Sequence, residues 1–271
     1  MIERIRQGNR GNFRYAVFDF DGTLSLIREG WQQIMTPYFT DELMAAPLAK
    51  EKSREEMETL AREFITQLTG RQTIYQCIRL GEEIARLGGQ PEDPQVYKDE
   101  YQRRLLEHID SRLSALEEGK VQPEDMVVPG SHALLKMLQS HGVQMYLASG
   151  TDQEYVKREA ALLRLDGYFG EHIYGAQRDY KTFSKKMVIE RILRENQLSG
   201  ESLLGFGDGF VEIENVQEVG GYAVGVASNE RDRRGIDLWK RERLIAAGAS
   251  LIIPDYREME ALEGELFPQN R

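Results

Sequence analysis

A short apolar run, Tyr15-Ala16-Val17-Phe18, stops abruptly at Asp19-Phe20-Asp21-Gly22-Thr23, and this junction limits what the chain can become. Four apolar residues with β-branched and aromatic members, halted by Asp-Gly, predict a buried strand that runs into a tight turn. A buried strand needs partners, yet the next hundred residues offer none. From about Ser25 to Asp125 the pattern is helical. Met57, Leu60, Ala61, Phe64, Ile65 and Leu68 recur at helical spacing, Ile74, Ile78, Ile84 and Leu87 form a weaker stripe, and Tyr97, Tyr101, Leu105, Ile109, Leu113 and Leu116 a long one. Gly70, Gly88-Gly89, Pro91 and Pro94 separate them, as expected for an α-helical bundle.

After Pro129-Gly130 the rhythm changes to helix, strand, helix, strand. Strands are predicted over 144–149, 172–176, 203–208, 222–227 and 251–253, with helices between, for example over 153–165 and 185–196. Apolar strands alternating with amphipathic helices form parallel βαβ units. Adding the isolated first strand to that sheet predicts an α/β, Rossmann-like, three-layer αβα core built from residues 1–24 and 126–271. Residues 25–125 are then an inserted helical domain. The polar stretch 1–14 reads as a short helix or arm.

Composition narrows the function classes. With 35 basic against 45 acidic side chains the net charge is -10, which argues against a nucleic-acid partner. No apolar run is long enough to cross a bilayer, and Met1-Ile2-Glu3-Arg4 does not open a signal peptide, so no membrane partner is expected. The lone Cys77 can build neither an intramolecular disulfide nor a thiolate metal site, and a cytoplasmic setting follows as the expectation. The histidines His108, His132, His141 and His172 lack ligand spacing and are expected in surface or packing roles.

Ligands of open parallel sheets bind beyond the carboxyl ends of the strands. The predicted strand ends carry Asp19 and Asp21, then Ser149-Gly150-Thr151, then Asp208-Gly209, while Lys185-Lys186 opens the helix before the strand that ends at Asp208. Converging carboxylates repel one another unless a cation lies among them. An all-oxygen set suits a hard ion, Mg²⁺ before Zn²⁺. A hydroxyl, free N–H groups and an ammonium suit a phosphate, and the two together suit phosphoryl transfer. Gly205-Phe206-Gly207-Asp208-Gly209 places Phe210 where a dinucleotide fingerprint has its third glycine, so a nicotinamide cofactor is rejected. The charge-rich segment 229–243, with Arg231, Arg233, Arg234, Arg241 and Arg243, is expected as a solvated helix face.

In order along the chain, Asp19-Phe20-Asp21-Gly22-Thr23, Ser149-Gly150-Thr151, the downstream Lys and Gly207-Asp208-Gly209 resemble the four motifs of the haloacid dehalogenase superfamily. The helical insertion after the first motif is similar to that superfamily's mobile cap. The resemblance implies a phosphatase in which Asp19 is the nucleophile and forms an aspartyl-phosphate, while Asp21 protonates the leaving oxygen and then deprotonates water. It also implies that Ser149, the Gly150 amide and a Lys hold the phosphoryl oxygens, and that Asp19, the Asp21 carbonyl and Asp208 bind Mg²⁺.

Ser184 reads as an N-cap, and Lys185 keeps the family spacing to Asp208, so Lys185 is preferred as the phosphate Lys, with Lys186 second and Lys181 third. The family often has Asp four residues after the last motif; here Glu212 stands there, with a metal role less direct than that of Asp208. The expected substrate is a small phosphorylated metabolite of the phosphosugar or phosphoglycolate kind. Arg28, Glu29 and Trp31, together with 69–72 and Arg71 in particular, are the candidates for substrate selectivity. Phosphomutases of the β-phosphoglucomutase type share the core residues and form the nearest alternative, although Thr23 favours a phosphatase by resemblance. A catalytically weak phosphate-ligand-binding module on the same fold is the third.

Overall fold

In the computed structural model, which describes residues 2–8, 10–197 and 199–268, the chain divides into two compact units: 1–29 with 113–271, and 30–112. The first unit is built on a seven-stranded sheet. Its strands are β1 (Glu3–Arg4), β2 (Tyr15–Phe18), β3 (Gln144–Asp152), β4 (Ile173–Ala176), β5 (Leu203–Gly207), β6 (Tyr222–Val226) and β7 (Leu251–Ile253). They lie in the order β1-β7-β6-β5-β2-β3-β4, and every pairing except β1 with β7 is parallel. The first motif's strand is therefore central, between β3 and β5. From it the chain builds the sheet outward first on one side and then on the other. The ends of β2 and β5 flank this reversal, where doubly wound sheets leave a crevice.

The helices are α1 (Trp31–Met44), α2 (Arg54–Leu68), α3 (Thr73–Arg86), α4 (Pro94–Glu117), α5 (Ser131–Ser140), α6 (Gln153–Leu162), α7 (Asp166–Phe169), α8 (Lys185–Asn196), α9 (Phe210–Glu218), α10 (Leu238–Ala246) and α11 (Met259–Leu266). Side chains alternate across a strand, so each central strand supplies two apolar layers. Val17, Tyr146, Ala223 and Ile252 pack with Val188, Ile189 and Ile192 of α8, Ile213 and Val216 of α9, and Leu244 of α10. On the alternate positions Phe18 stacks on Phe206 with centroids 4.6 Å apart, and the α7 residue Phe169 meets Phe18 edge-on at 5.8 Å. This is an α/β Rossmann-like fold with both faces of the sheet covered.

The second unit holds α1, α2, α3 and the part of α4 up to Arg112. A capping box at Ser53 and Glu56 starts α2. Met57, Ala61, Phe64 and Ile65 of the predicted stripe are buried, as are Ile74, Ile84, Tyr97, Tyr101, Leu105 and Ile109, with Phe64 stacked on Phe39 at 5.9 Å. Residues 25–29 and 113–125 belong to the α/β unit, so the helical unit is shorter at both ends than the expected 25–125.

One expectation is corrected at the N-terminus. Within 1–14, where Met1 and Asn9 lie outside the described residues, Glu3–Arg4 forms an antiparallel edge strand rather than a helix or free arm. Two ion pairs tie it down: Arg4 to Glu265 at 2.6 Å and Glu3 to Arg241 at 2.6 Å.

Candidate active site

The turn after β2 is set by its backbone. Asp19 N–H donates to the Phe206 carbonyl at 2.9 Å, extending the β2–β5 pairing by one residue. The Phe20 carbonyl then accepts from Thr23, Leu24 and Ser25, and Gly22 takes φ 73°, a left-handed conformation that suits glycine. Gly22 has a second reason to lack a side chain: a Cβ there would strike the Asp208 carboxylate.

Asp19 is buried, and its Oδ1 lies 2.8 Å from Lys185 Nζ. Burial raises its pKa, the Lys185 ammonium opposes the rise, and Asp208 adds to it. Asp21 keeps 28% of its side chain exposed and accepts a 2.8 Å hydrogen bond from Thr151 Oγ1. Desolvation pushes its carboxyl up to about 7, with Arg28 opposing and Glu159 and Asp19 reinforcing. Its other oxygen, Oδ1, has no hydrogen-bond donor. The chain thus presents two carboxyl groups on one turn in different surroundings, one against an ammonium and one against a hydroxyl.

The Ser149-Gly150-Thr151 motif occupies an irregular extension of β3, where the β3–β4 register shifts between Ala148 and Asp152. Ser149 is buried, and its Oγ accepts the Thr151 N–H at 3.0 Å. At the start of α8, Ser184 Oγ caps the Met187 N–H, which fixes the helix rotation so that Lys185 points inward. Lys186 is exposed and pairs with Glu218 at 2.6 Å, and Lys181 lies by the Tyr180 ring. Of the three candidates, the structure brings Lys185 to Asp19.

Asp208 follows β5, and its N–H donates to Thr23 Oγ1 at 2.9 Å. Glu212, in the first turn of α9, gives its Oε1 to Lys185, while its buried Oε2 has no donor. Its Oε1 is taken by the ammonium, so Oε2 is the oxygen left for the less direct metal role expected at that position. Among the described residues no group of three His, Cys, Asp or Glu side chains could hold an ion alone. Asp19 and Asp208 supply hard oxygen donors at neighbouring strand ends, and Asp21 Oδ1 and Glu212 Oε2 are buried acceptors without donors. That set fits a hard ion of the Mg²⁺ kind, which commonly takes one or two carboxylates and completes its shell with water and phosphate.

Two sequence expectations are revised. Arg28, a candidate for gripping substrate, is buried with its guanidinium against Glu159 at 2.7 and 3.1 Å and its Nε 3.9 Å from Asp21 Oδ1. It serves the interior of the α/β unit. The segment 229–243 is partly knitted to the core: Lys240 is buried against Asp208, Glu230 and Ser228, Arg241 binds Glu3, and Arg233 binds the Asp125 carbonyl. Lys240 and Glu230 had no signal in the sequence beyond membership of that charged run. Of the remaining selectivity candidates, Trp31 opens α1 and Arg71 is exposed with its guanidinium 6.0 Å from the Tyr75 ring, both in the helical unit.

Comparison with known proteins follows the same outline. Residues 13–220 match the family model of haloacid dehalogenase-like hydrolases. No curated protein matches the chain. Among solved structures, a predicted phosphatase from Clostridium acetobutylicum is 19% identical with a TM-score of 0.59, the match covering 94% of this chain and 99% of that one. A predicted phosphoglycolate phosphatase from Haemophilus somnus is 14% identical with a TM-score of 0.59, covering 93% and 98%. A β-phosphoglucomutase from Clostridium difficile is 13% identical with a TM-score of 0.60, covering 94% and 97%. At these identities the likeness is one of fold.

Proposed function

The chain belongs to the haloacid dehalogenase-like hydrolase family, and from that premise we propose that it is a Mg²⁺-dependent phosphatase that hydrolyses a small phosphorylated metabolite through an aspartyl-phosphate. The observation that carries this reading is the Lys185 ammonium 2.8 Å from Asp19 Oδ1, on the turn that also holds an Asp21 carboxyl pushed up to about 7.

In this reading an Asp19 carboxylate oxygen attacks phosphorus, and the bond from phosphorus to the ester oxygen breaks. Asp21, able to hold a proton near neutrality, delivers it to the departing alkoxide. Water then attacks the phosphoryl group, Asp21 takes the water's proton, and inorganic phosphate leaves as the Asp19 carboxylate is restored. Lys185, Ser149 and the Gly150 N–H hold the phosphoryl oxygens, where negative charge grows in the transition state. Glu212 orients Lys185. Bound to Asp19, the Asp21 carbonyl and Asp208, Mg²⁺ would offset phosphoryl charge.

We assign substrate choice to the helical unit as the family's cap, with Trp31 and Arg71 as its candidate contacts. A buried single thiol, Cys77, accords with a cytoplasmic setting. The test is turnover of para-nitrophenyl phosphate, followed by a panel of phosphosugars, phosphoglycolate, phosphoserine and nucleotides. Phosphate release that needs Mg²⁺, stops in chelator and vanishes in Asp19→Asn supports the proposal. Silence across the panel, or full turnover in Asp19→Asn, overturns it, and isomerisation of a phosphosugar without phosphate release assigns a mutase instead.

A further inference from the structure

Lys240 belongs to the charged run expected to face solvent, yet it is only 8% exposed. Its Nζ lies 2.7 Å from Asp208 Oδ2, 2.6 Å from Glu230 Oε1 and 3.2 Å from Ser228 Oγ. Ser228 Oγ in turn donates to the Gly22 carbonyl at 2.6 Å. The backbone end of the residue is fixed as well, because the Asp237 side chain caps α10 by accepting the Lys240 N–H at 3.0 Å. Asp208 Oδ2 and Glu230 Oε1 both crowd the Cα of Gly22, where a Cβ would meet each of them. One ammonium therefore gathers two carboxylates from different loops and a hydroxyl anchored on the turn that carries Asp19.

We propose that Lys240 is a positioning residue: a built-in cation that joins Asp208 to Glu230, holds Asp208 against the Asp19–Gly22 turn, and fills the place a second divalent ion would otherwise take. Two carboxylates that share one contact point repel each other when no cation separates them, and such a pair attracts a hard divalent ion. A lysine resolves the conflict with a single charge on a covalent stem. With Oδ2 engaged, Asp208 has Oδ1 left to offer, so the site takes one ion in a fixed place. The catalytic consequence rests on the phosphatase reading; the metal count does not.

The experiment titrates the full-length protein with Mn²⁺ alone, counting bound ions by the loss of the free-ion electron paramagnetic resonance signal. The wild type binds one equivalent, Lys240→Met binds two, and Lys240→Arg returns to one. In parallel, kcat for para-nitrophenyl phosphate with Mg²⁺ falls by about 10- to 100-fold in Lys240→Met, within the range for groups that orient metal ligands, while KM stays within about twofold and Lys240→Arg recovers most of the rate. A role in folding alone would lower the thermal midpoint and leave both the ion count and kcat of the folded fraction unchanged. Should Lys240→Met fail to fold, Lys240→Met/Glu230→Gln removes one charge of each sign; it is expected to bind one ion with a reduced kcat. A wild type that binds none or two, a Lys240→Met that binds one, or full kcat in the double variant overturns the proposal. Wild-type silence toward every phosphate ester would instead defeat the phosphatase reading and leave the Mn²⁺ count to decide the role of Lys240.

Discussion

Breaking the Arg28–Glu159 pair is expected to destabilise the α/β unit far more than replacing both partners together. Glu159 is 1% exposed and Arg28 5%, and three contacts of 2.7, 3.1 and 3.1 Å join guanidinium to carboxylate. Neither charge has ready access to water once its partner is gone. Removing one member of such a buried pair costs about 3–5 kcal/mol, whereas exchanging both for apolar groups of similar volume is often neutral or stabilising. The two single variants should not be equal. In Glu159→Gln the guanidinium still has Asp21 Oδ1 at 3.9 Å, whereas Arg28→Met leaves Glu159 and Asp21 with no cation between them. Glu159→Gln should therefore lie near 3 kcal/mol and Arg28→Met nearer 5 kcal/mol, as approximate ends of the range for broken buried pairs. At roughly 2–4 °C per kcal/mol for a chain of this size, the melting temperature falls by about 6–12 °C in Glu159→Gln and about 10–20 °C in Arg28→Met. Urea titration followed by circular dichroism gives the free energies, and the cycle closed with Arg28→Met/Glu159→Leu gives the coupling. With single costs of about 3 and 5 kcal/mol and a double variant near neutral, the coupling is about 8 kcal/mol, most of it the penalty of a lone buried charge. Single costs below about 1 kcal/mol, the range of exposed pairs, would refute the reasoning, as would a double variant that loses the sum of the two.

Lys185→Met should lower kcat by about a hundredfold or more, as for loss of a donor to developing charge, while Lys186→Ala, a solvent-exposed pair with Glu218, stays close to wild type; equal losses would reject the assignment of Lys185. Gly22→Ala forces a Cβ onto the Asp208 carboxylate at a left-handed φ, at a backbone cost of about 1–2 kcal/mol, and steady-state kinetics should show kcat falling much further than the stability loss explains. Burial pushes the Cys77 thiol up to about 12, so at pH 8 its thiolate fraction is about 10⁻⁴ and the folded protein should resist Ellman's reagent until denaturant releases one equivalent. The sign follows from the upward shift: raising the pH toward 10 still leaves the native thiol protonated, and prompt native labelling there would contradict the burial.

Much of this protein was written locally. The abrupt end of Tyr15–Phe18 at Asp-Phe-Asp-Gly, the β-rich runs after Pro129 and the Ser184 cap before Lys185 are patterns within a few residues, and turn chemistry, strand alternation and capping act over that range. The parallel sheet and the polar strand ends follow from them. The edge pairing of Glu3–Arg4 left no such mark, because two residues are too few to show a period and the strand is held by partners near the other end of the chain. Arg28 looked like a free charge until the fold set Glu159 against it from 131 residues away. Lys240 looked like one more charge on a solvated helix until the fold set its ammonium against Asp208, the residue that follows β5. Spacing along the chain reveals which side chains share a face, whereas the pairing of buried charges depends on which strands become neighbours, and that is decided only when the whole sheet is assembled.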